Sequence, residues 1–123
     1  MYGDAMSELA KLEDEMNRLI LTGRSEEAIE RFYADDAALQ ENVEPEVVGK
    51  RAILARERAF AAKVASAAPP VLHASAVGED VTLSEWTWEL TLEDGTRVLL
   101  NEVARRRWRH GQIVHERFYY SRG

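Results

Sequence analysis

The sequence predicts an α+β protein in which three helices precede a curved, mostly antiparallel sheet and cover one of its faces. In the first half, apolar residues recur every three or four positions, as in helices that pack against a core. After Pro69-Pro70 the pattern changes to long extended runs joined by short turn sequences, which is typical of a strand meander.

One apolar stripe predicts the first helix. It consists of Met6, Leu9, Leu12 or Glu13, Met16, Leu19 and Ile20. The helix is expected to end at Thr22-Gly23, because glycine commonly follows a helix C-terminus. A second helix is expected after an N-cap at Ser25, with Glu26 and Glu27 favoured in its first turn by the helix dipole.

The segment between the second helix and the sheet is predicted from breaks in the helical pattern. Asp35-Asp36 interrupt the second helix, and a short strand is expected over Ala37 to Asn42. A loop follows around Pro45. Gly49 opens a third helix, which is expected to run to about Val64 and to be stopped by Pro69-Pro70.

The second half is predicted to contain four long strands. They are Val71 to Val77, Val81 to Leu92, Arg97 to Arg109 and Ile113 to Tyr120. Asp94-Gly95 and His110-Gly111 lie between alternating runs and favour tight hairpins. Because strand side chains alternate, aromatic and ionisable residues share single faces of the last strands. These are Trp86 with Trp88, then Glu102, Ala104, Arg106 and Trp108, then Glu116, Phe118 and Tyr120. Such mixed faces indicate the lining of a pocket.

Composition excludes several classes of function. The 123 residues fit one domain, and the net charge of −6 with no basic half argues against a nucleic-acid partner. There is no cysteine, and the three histidines have no metal-binding spacing, so neither a metal nor another cofactor is expected. The absence of a long apolar run or a signal-like start predicts a cytoplasmic protein with no membrane partner.

Three short motifs carry a family resemblance. They are Arg31 to Ala37 (RFYADDA), Val48 to Ile53 (VGKRAI) and Trp108 to Arg117 (WRHGQIVHER). In this order and spacing they resemble the SnoaL-like family of the NTF2-like superfamily, which includes ketosteroid isomerases and polyketide cyclases. The resemblance implies a cystatin-like α+β cone with a pocket inside it, and a homodimer formed through the convex sheet face. The fold does not determine the function.

The resemblance also gives positions for a family active site. Glu41 falls where the isomerases carry their carboxylate base. Met16 and Ala104 fall where those enzymes carry oxyanion donors, and neither side chain can donate a hydrogen bond. In the last strand, Phe118 and Ser121 replace acids that the cyclases and hydrolases often have, whereas Glu116 is retained.

Two hypotheses follow for the function. The leading one is binding of a small apolar molecule in the cone, with cofactor-free acid/base catalysis of an isomerase, cyclase or hydrolase type. The candidate catalytic residues are Glu41, Glu102, Arg106 and Glu116; the candidate ligand-binding residues are Met16, Tyr33, Glu57, Phe60, Trp86, Trp88, Ala104, Phe118 and Tyr120. Glu41 or Glu102 would be the base, and Arg106 would orient a substrate oxygen.

The alternative is a non-catalytic module that binds a ligand or dimerises. A buried ion pair, in which Arg106 meets Glu116 or Glu57, explains the inward charges as well as an active site does. The two hypotheses differ in whether an unpaired carboxylate faces an open pocket.

Overall fold

The computed structural model describes the backbone of residues 2–121 and the side chains of residues 8–121. Its three helices are α1 (Tyr2–Leu21), α2 (Ser25–Phe32) and α3 (Lys50–Ala61). The strands are β1 (Tyr33–Glu41), β2 (Val47–Val48), β3 (Val64–Ala67), β4 (Val71–Val77), β5 (Val81–Leu92), β6 (Arg97–Arg109) and β7 (Gln112–Tyr120). No helix in this part of the chain is long and apolar enough to cross a membrane.

The strands form one mixed, strongly curled sheet. Its order is β2-β1-β7-β6-β5-β3, and β4 pairs with β5 beside β3. The pairs are antiparallel except for β1 with β7, which run parallel. Helix α1 packs against β4 and β5, and α3 packs against β1, so both cover the same face, here called the inner face. The predicted α+β cone is confirmed.

The core lies between the helices and the inner face. Leu9, Met16, Leu19 and Ile20 of α1 are buried as the stripe predicts, and the side chain of Met6 lies outside the described residues. At the stripe's ambiguous position Glu13 is buried, whereas Leu12 is only half-buried. Phe32 meets Trp108 edge to face, with ring centroids 6.0 Å apart, which joins α2 to β6.

Two predicted boundaries near α2 are wrong. Helix α2 begins at Ser25 itself, and no side-chain hydrogen bond caps it, so Ser25 is not the N-cap. Strand β1 begins at Tyr33 rather than Ala37. Asp35 and Asp36 do not interrupt regular structure, because both are exposed at a shift in the β1–β7 register and their carboxylates point to water.

The prediction for the end of α3 is also wrong. The helix ends at Ala61, and Val64 belongs to β3, where it pairs with Leu92 of β5. Pro69-Pro70 therefore separates β3 from β4 instead of stopping the helix. Val47 and Val48, expected in a loop, pair with Leu39 and Ala38 as β2. In both strands, pairing with a neighbouring strand of the sheet overrides the local pattern.

The four predicted strands of the second half are confirmed, with β7 starting one residue earlier than expected. The connection between β6 and β7 has positive φ at both central residues, 52° at His110 and 75° at Gly111. That backbone conformation matches the twist of the flanking strands and gives a tight hairpin. The alternation is confirmed as well, since Ala104, Arg106 and Trp108 are buried on the inner face.

Candidate functional site

The strand register brings the inward residues of β5, β6 and β7 into rows. Going from the open end of the inner face to the covered end, the rows are Trp86, Glu102 and Tyr120; Ser84, Ala104 and Phe118; and Thr82, Arg106 and Glu116. Along β6 and β7 exposure falls in this direction, whereas the three β5 residues are all buried. Glu102 and Tyr120 are half-buried, whereas Arg106 and Glu116 are each only 1% exposed.

A buried polar cluster fills the covered end. Arg106 donates from Nε to Glu116 Oε2 at 2.7 Å, and from Nη1 to Glu13 Oε2 at 2.9 Å and to Asn17 Oδ1 at 2.8 Å. These four residues, together with Thr82 and Ser84, are here called the polar cluster. It joins α1 to the middle of the sheet, because Glu13 and Asn17 come from the helix and Arg106 and Glu116 from β6 and β7.

Hydroxyl groups of β5 complete the cluster. Thr82 donates to Glu13 Oε1 at 2.7 Å, and Ser84 donates to the other oxygen of the same carboxylate. The Trp108 indole donates to Thr82 Oγ1 at 2.8 Å, and Asn17 donates to Ser84 Oγ at 2.8 Å. The buried Glu13 carboxylate therefore receives hydrogen bonds from protein groups in place of water.

The polar cluster contains two carboxyl groups and one guanidinium. Burial raises the pKa of Glu116 well above its ordinary value, and the nearby Glu13 carboxylate raises it further. Glu116 Oε1 has no hydrogen-bond partner, in contrast to both oxygens of Glu13. Burial thus disfavours the charged form of Glu116, and Arg106 is the guanidinium that contacts both carboxyl groups of the cluster.

Arg106 lies below the open end. The structure brings it to Glu116, one of its two expected partners, and places Glu57 elsewhere. Because Arg106 is 1% exposed and engaged with three side chains, it holds the cluster together and has no contact surface for a substrate oxygen.

Glu102 lies in a different environment. It forms no ion pair among the described residues, and burial raises its pKa to about 7, although the Trp88 indole and Arg106 act in the opposite direction. Trp88 Nε1 makes no hydrogen bond of ordinary geometry, so the indole only moderates this rise. Trp86 and Trp88 stack at 5.7 Å between centroids and 29° between planes, beside Glu102.

Glu41, the other candidate base, is paired. Its carboxylate accepts a hydrogen bond from the Tyr120 hydroxyl and forms an ion pair with Arg56 of α3. Glu41 faces inward next to Phe118, as expected, but its charge is compensated. Met16, Tyr33 and Ala104 are buried in the core, 2%, 2% and 0% exposed.

Glu57 and Phe60 lie apart from the other candidates. Phe60 is 44% exposed on α3. Glu57 lines a surface groove of about 280 Å³ with Ala61 and the segment 23–27. Burial in that groove raises the pKa of Glu57, against a smaller opposite effect of Arg56. A second groove, of about 360 Å³, lies at the far end of β5 and β6 next to Leu99. Neither groove is lined by the polar cluster or by Glu102.

Sequence reasoning missed most of the polar cluster. Glu13 and Asn17 are four residues apart on the apolar stripe of α1, and two polar residues on a buried stripe are the signal that was available. Ser84 shares a strand face with Trp86 and carried a similar signal. Among the described residues, no group of three or more His, Asp or Glu side chains is placed to hold a metal ion.

Comparisons with known proteins agree with this architecture. A family model described as a SnoaL-like domain matches residues 15–116. A search of curated proteins finds no match.

Among solved structures, a Mesorhizobium loti protein assigned as a SnoaL-like polyketide cyclase is 25% identical, with a TM-score of 0.83 over 91% of this chain and 98% of its own. An NTF2-like protein of unknown function from Burkholderia pseudomallei is 15% identical, with a TM-score of 0.80 over 94% and 92%. A protein with a ketosteroid isomerase-like fold from Catenulispora acidiphila, solved in complex with trimethylamine, is 16% identical, with a TM-score of 0.71 over 85% and 81%.

Proposed function

Because the chain belongs to the SnoaL-like family and has its α+β cone, we propose that it binds a small, largely apolar molecule at the open end of the inner face. Glu102 is the general acid/base of this site. The family includes isomerases and cyclases, and proton transfer to and from a bound substrate is the step that such reactions share. No metal or other cofactor is needed for it.

One observation carries the proposal. Glu102 is half-buried between Trp86 and Tyr120, has no ion-pair partner among the described residues, and has a pKa of about 7. A carboxyl group with a pKa near neutrality exists in both protonation states at working pH, and it can therefore take up and return a proton. Its half-buried position leaves it accessible to a substrate, while the aromatic neighbours provide apolar contact.

The other carboxylates support the choice of Glu102 by contrast. The carboxylate of Glu41 is paired with Arg56 and accepts a hydrogen bond from Tyr120, so its charge is already compensated. Glu116 is 1% exposed and lies inside the polar cluster, where a substrate has no access. Glu102 is the inward carboxyl group that is both accessible and unpaired.

Kemp elimination of 5-nitrobenzisoxazole tests this assignment without knowledge of the natural substrate. A carboxylate base removes the proton from the C3 carbon, the N–O bond breaks, and the product is a coloured cyanophenolate. We expect kcat/KM to rise with pH through about 7 and then level off, because the base must be deprotonated. The Glu102→Gln variant should lose activity about 100-fold, the lower range for a removed general base.

Glu89→Gln is the matched control, since Glu89 is exposed on the opposite face of β5. It should leave the reaction unchanged. If Glu102→Gln is as active as the wild type, the assignment of the base fails. A loss confined to Glu41→Gln would instead make Glu41 the base.

A non-catalytic binding module is the second candidate, and one feature of the site favours it. The positions of the family oxyanion donors hold Met16 and Ala104, which cannot donate, and the nearby Arg106 is occupied by the polar cluster. This candidate predicts that apolar probes quench the fluorescence of Trp88 at the open end while 5-nitrobenzisoxazole is not turned over.

A further inference from the structure

Aromatic rings flank Glu102 on both neighbouring strands. Trp86 of β5 and Tyr120 of β7 are its direct cross-strand partners on the inner face. Directly opposed inward side chains lie about 5 Å apart at their Cβ atoms. Trp88 adds a second indole that stacks on Trp86. A single carboxyl group thus lies among three aromatic side chains, here called the aromatic row: Trp86, Trp88, Tyr120 and Glu102.

We propose that the aromatic row binds a small alkylammonium group, such as a quaternary amine or a protonated tertiary amine. The inference rests on the proposed site at the open end and names the class of ligand that the site takes. The ammonium would be a substituent of the otherwise apolar molecule.

The charge of Glu102 is the first argument. None of the ion pairs within residues 8–121 includes it. A neutral apolar ligand would remove water from this carboxylate without forming a compensating interaction. That desolvation has an unfavourable free energy. An alkylammonium compensates the charge directly, so the same loss of water becomes favourable.

The aromatic side chains are the second argument. Indole and phenol rings attract cations through the negative potential over their faces, and tryptophan does so most strongly. Trp86 is 1% exposed and forms the floor, while Trp88 and Tyr120 are half-buried and keep accessible surface. Sets of aromatic rings are the arrangement by which proteins recognise quaternary ammonium groups, and here a carboxyl group lies beside the rings.

The positive charge of Arg106 acts on Glu102, but this arginine is paired with carboxyl groups of its own. The other charged groups at the inner face are Arg106 of β6, Glu116 of β7 and Glu41 of β1, with Glu13 of α1 and Arg56 of α3 paired to them. Arg106 is bound to both Glu13 and Glu116, and Arg56 is bound to Glu41. Each arginine is thus paired with at least one carboxyl group. Neither forms an ion pair with Glu102, whose carboxylate can therefore pair with a cationic ligand.

Binding of a cation is coupled to the protonation of Glu102. The ligand binds the carboxylate form, so affinity should rise with pH through the pKa of about 7. Between pH 6 and pH 8 this coupling amounts to about a tenfold gain in affinity for one group that titrates near 7. A neutral ligand of the same shape has no such dependence.

Choline and its uncharged carbon isostere 3,3-dimethylbutan-1-ol test the inference on the intact protein. Binding is measured by calorimetry and by tryptophan fluorescence at pH 6 and pH 8. We expect choline to bind at least about tenfold more tightly than the isostere at pH 8, as one compensated charge allows. That preference should shrink at pH 6. It should disappear in Glu102→Gln and persist in Glu89→Gln.

Trp88→Leu provides a second variant, because Trp88 is half-buried and its replacement spares the fully buried Trp86. It should weaken choline more than the isostere. Equal affinity for both probes, no binding of either, or a choline preference that survives Glu102→Gln would overturn the inference. Equal affinities together with a Kemp reaction that depends on Glu102 would reject the ammonium ligand and leave the proposed acid/base function intact.

Discussion

Three carboxyl groups on or against the inner face differ mainly in what surrounds them. Glu13 receives hydrogen bonds from Thr82, Ser84 and Arg106, so both of its oxygens have partners. Glu116 shares Arg106 but leaves one buried oxygen without a partner, and its pKa is raised. Glu102 lies outside the polar cluster, and burial raises its pKa against a smaller opposite effect of Arg106. Burial raises the pKa of both Glu116 and Glu102, but only Glu116 is in contact with an arginine.

Replacing Arg106 tests the structural role of the polar cluster. Arg106→Met removes the one cation between two buried carboxyl groups and leaves Glu13 without a counter-charge. We expect the free energy of unfolding to fall by about 3–5 kcal/mol, the cost of breaking a buried ion pair from one side. Urea unfolding followed by circular dichroism measures it.

Arg107→Met is the matched control for that experiment. Arg107 is the next residue on the same strand, is exposed, and points to the other face, so its loss should change the unfolding free energy by less than about 0.5 kcal/mol. Equal effects of the two substitutions would mean that the cluster does not hold α1 on the sheet.

In the β6–β7 hairpin, the turn sequence also sets the cross-strand register that positions the inward side chains. His110-Gly111 makes the turn, and the register that follows sets Arg106 opposite Glu116 and Glu102 opposite Tyr120. A shift of one residue would turn every inward side chain of β7 outward. The register of the β6–β7 pair shifts between Arg107 and Trp108, close to the turn, and is regular from there to the far end of the pair. The hairpin therefore places both the polar cluster and the aromatic row.

Substitution of Gly111 tests the turn. Its φ of 75° is one that side chains rarely adopt, and a Cβ added there would meet nothing within 4 Å. The cost of Gly111→Ala is thus conformational and not steric, about 1 kcal/mol of unfolding free energy. Gly111→Asn should cost clearly less, because asparagine tolerates this conformation. Thermal unfolding of the three proteins checks the order, and an alanine variant as stable as the wild type would contradict it.

The outer face of the sheet has the character of a contact surface. Leu83, Leu99 and Tyr119 are exposed there, 39%, 68% and 41% respectively. Polar side chains lie between them, including the chain of hydrogen bonds from His73 to Thr87 at 2.7 Å and from Thr87 to Asn101 at 2.6 Å. We propose that these residues form a subunit interface, because apolar surface left exposed on one chain can be covered by a second copy.

We expect a homodimer through this face, with Val103 and Tyr119 in neighbouring positions at its centre. Light scattering at micromolar concentration should give twice the mass of one chain. Val103→Lys should shift the protein to a monomer, because a charge would be buried at the contact. Val43→Lys is the control, since Val43 is 86% exposed after β1 and away from the sheet face. A wild-type monomer would exclude the dimer.

Much of the fold follows from patterns that neighbouring residues set. The alternation in β5, β6 and β7, the glycine after α1 and the glycine turn after His110 all act within a few residues, and the structure confirms each of them. The same alternation placed Glu102, Arg106 and Glu116 on the inner face. These features depend on backbone geometry, which a short stretch of sequence determines.

Other features depend on residues that are distant in the chain. Strand β3 forms because Val64 pairs with Leu92 of β5. Strand β1 starts at Tyr33, before the predicted Ala37, because Tyr33 pairs with Ile113 of β7. The polar cluster requires Glu13 to meet Arg106, 93 positions away, and this contact removes Arg106 from any substrate. Whether an inward carboxyl group is paired or available depends on which elements pack against it. Local spacing placed Glu102 on the inner face, and tertiary packing left it without a counter-charge.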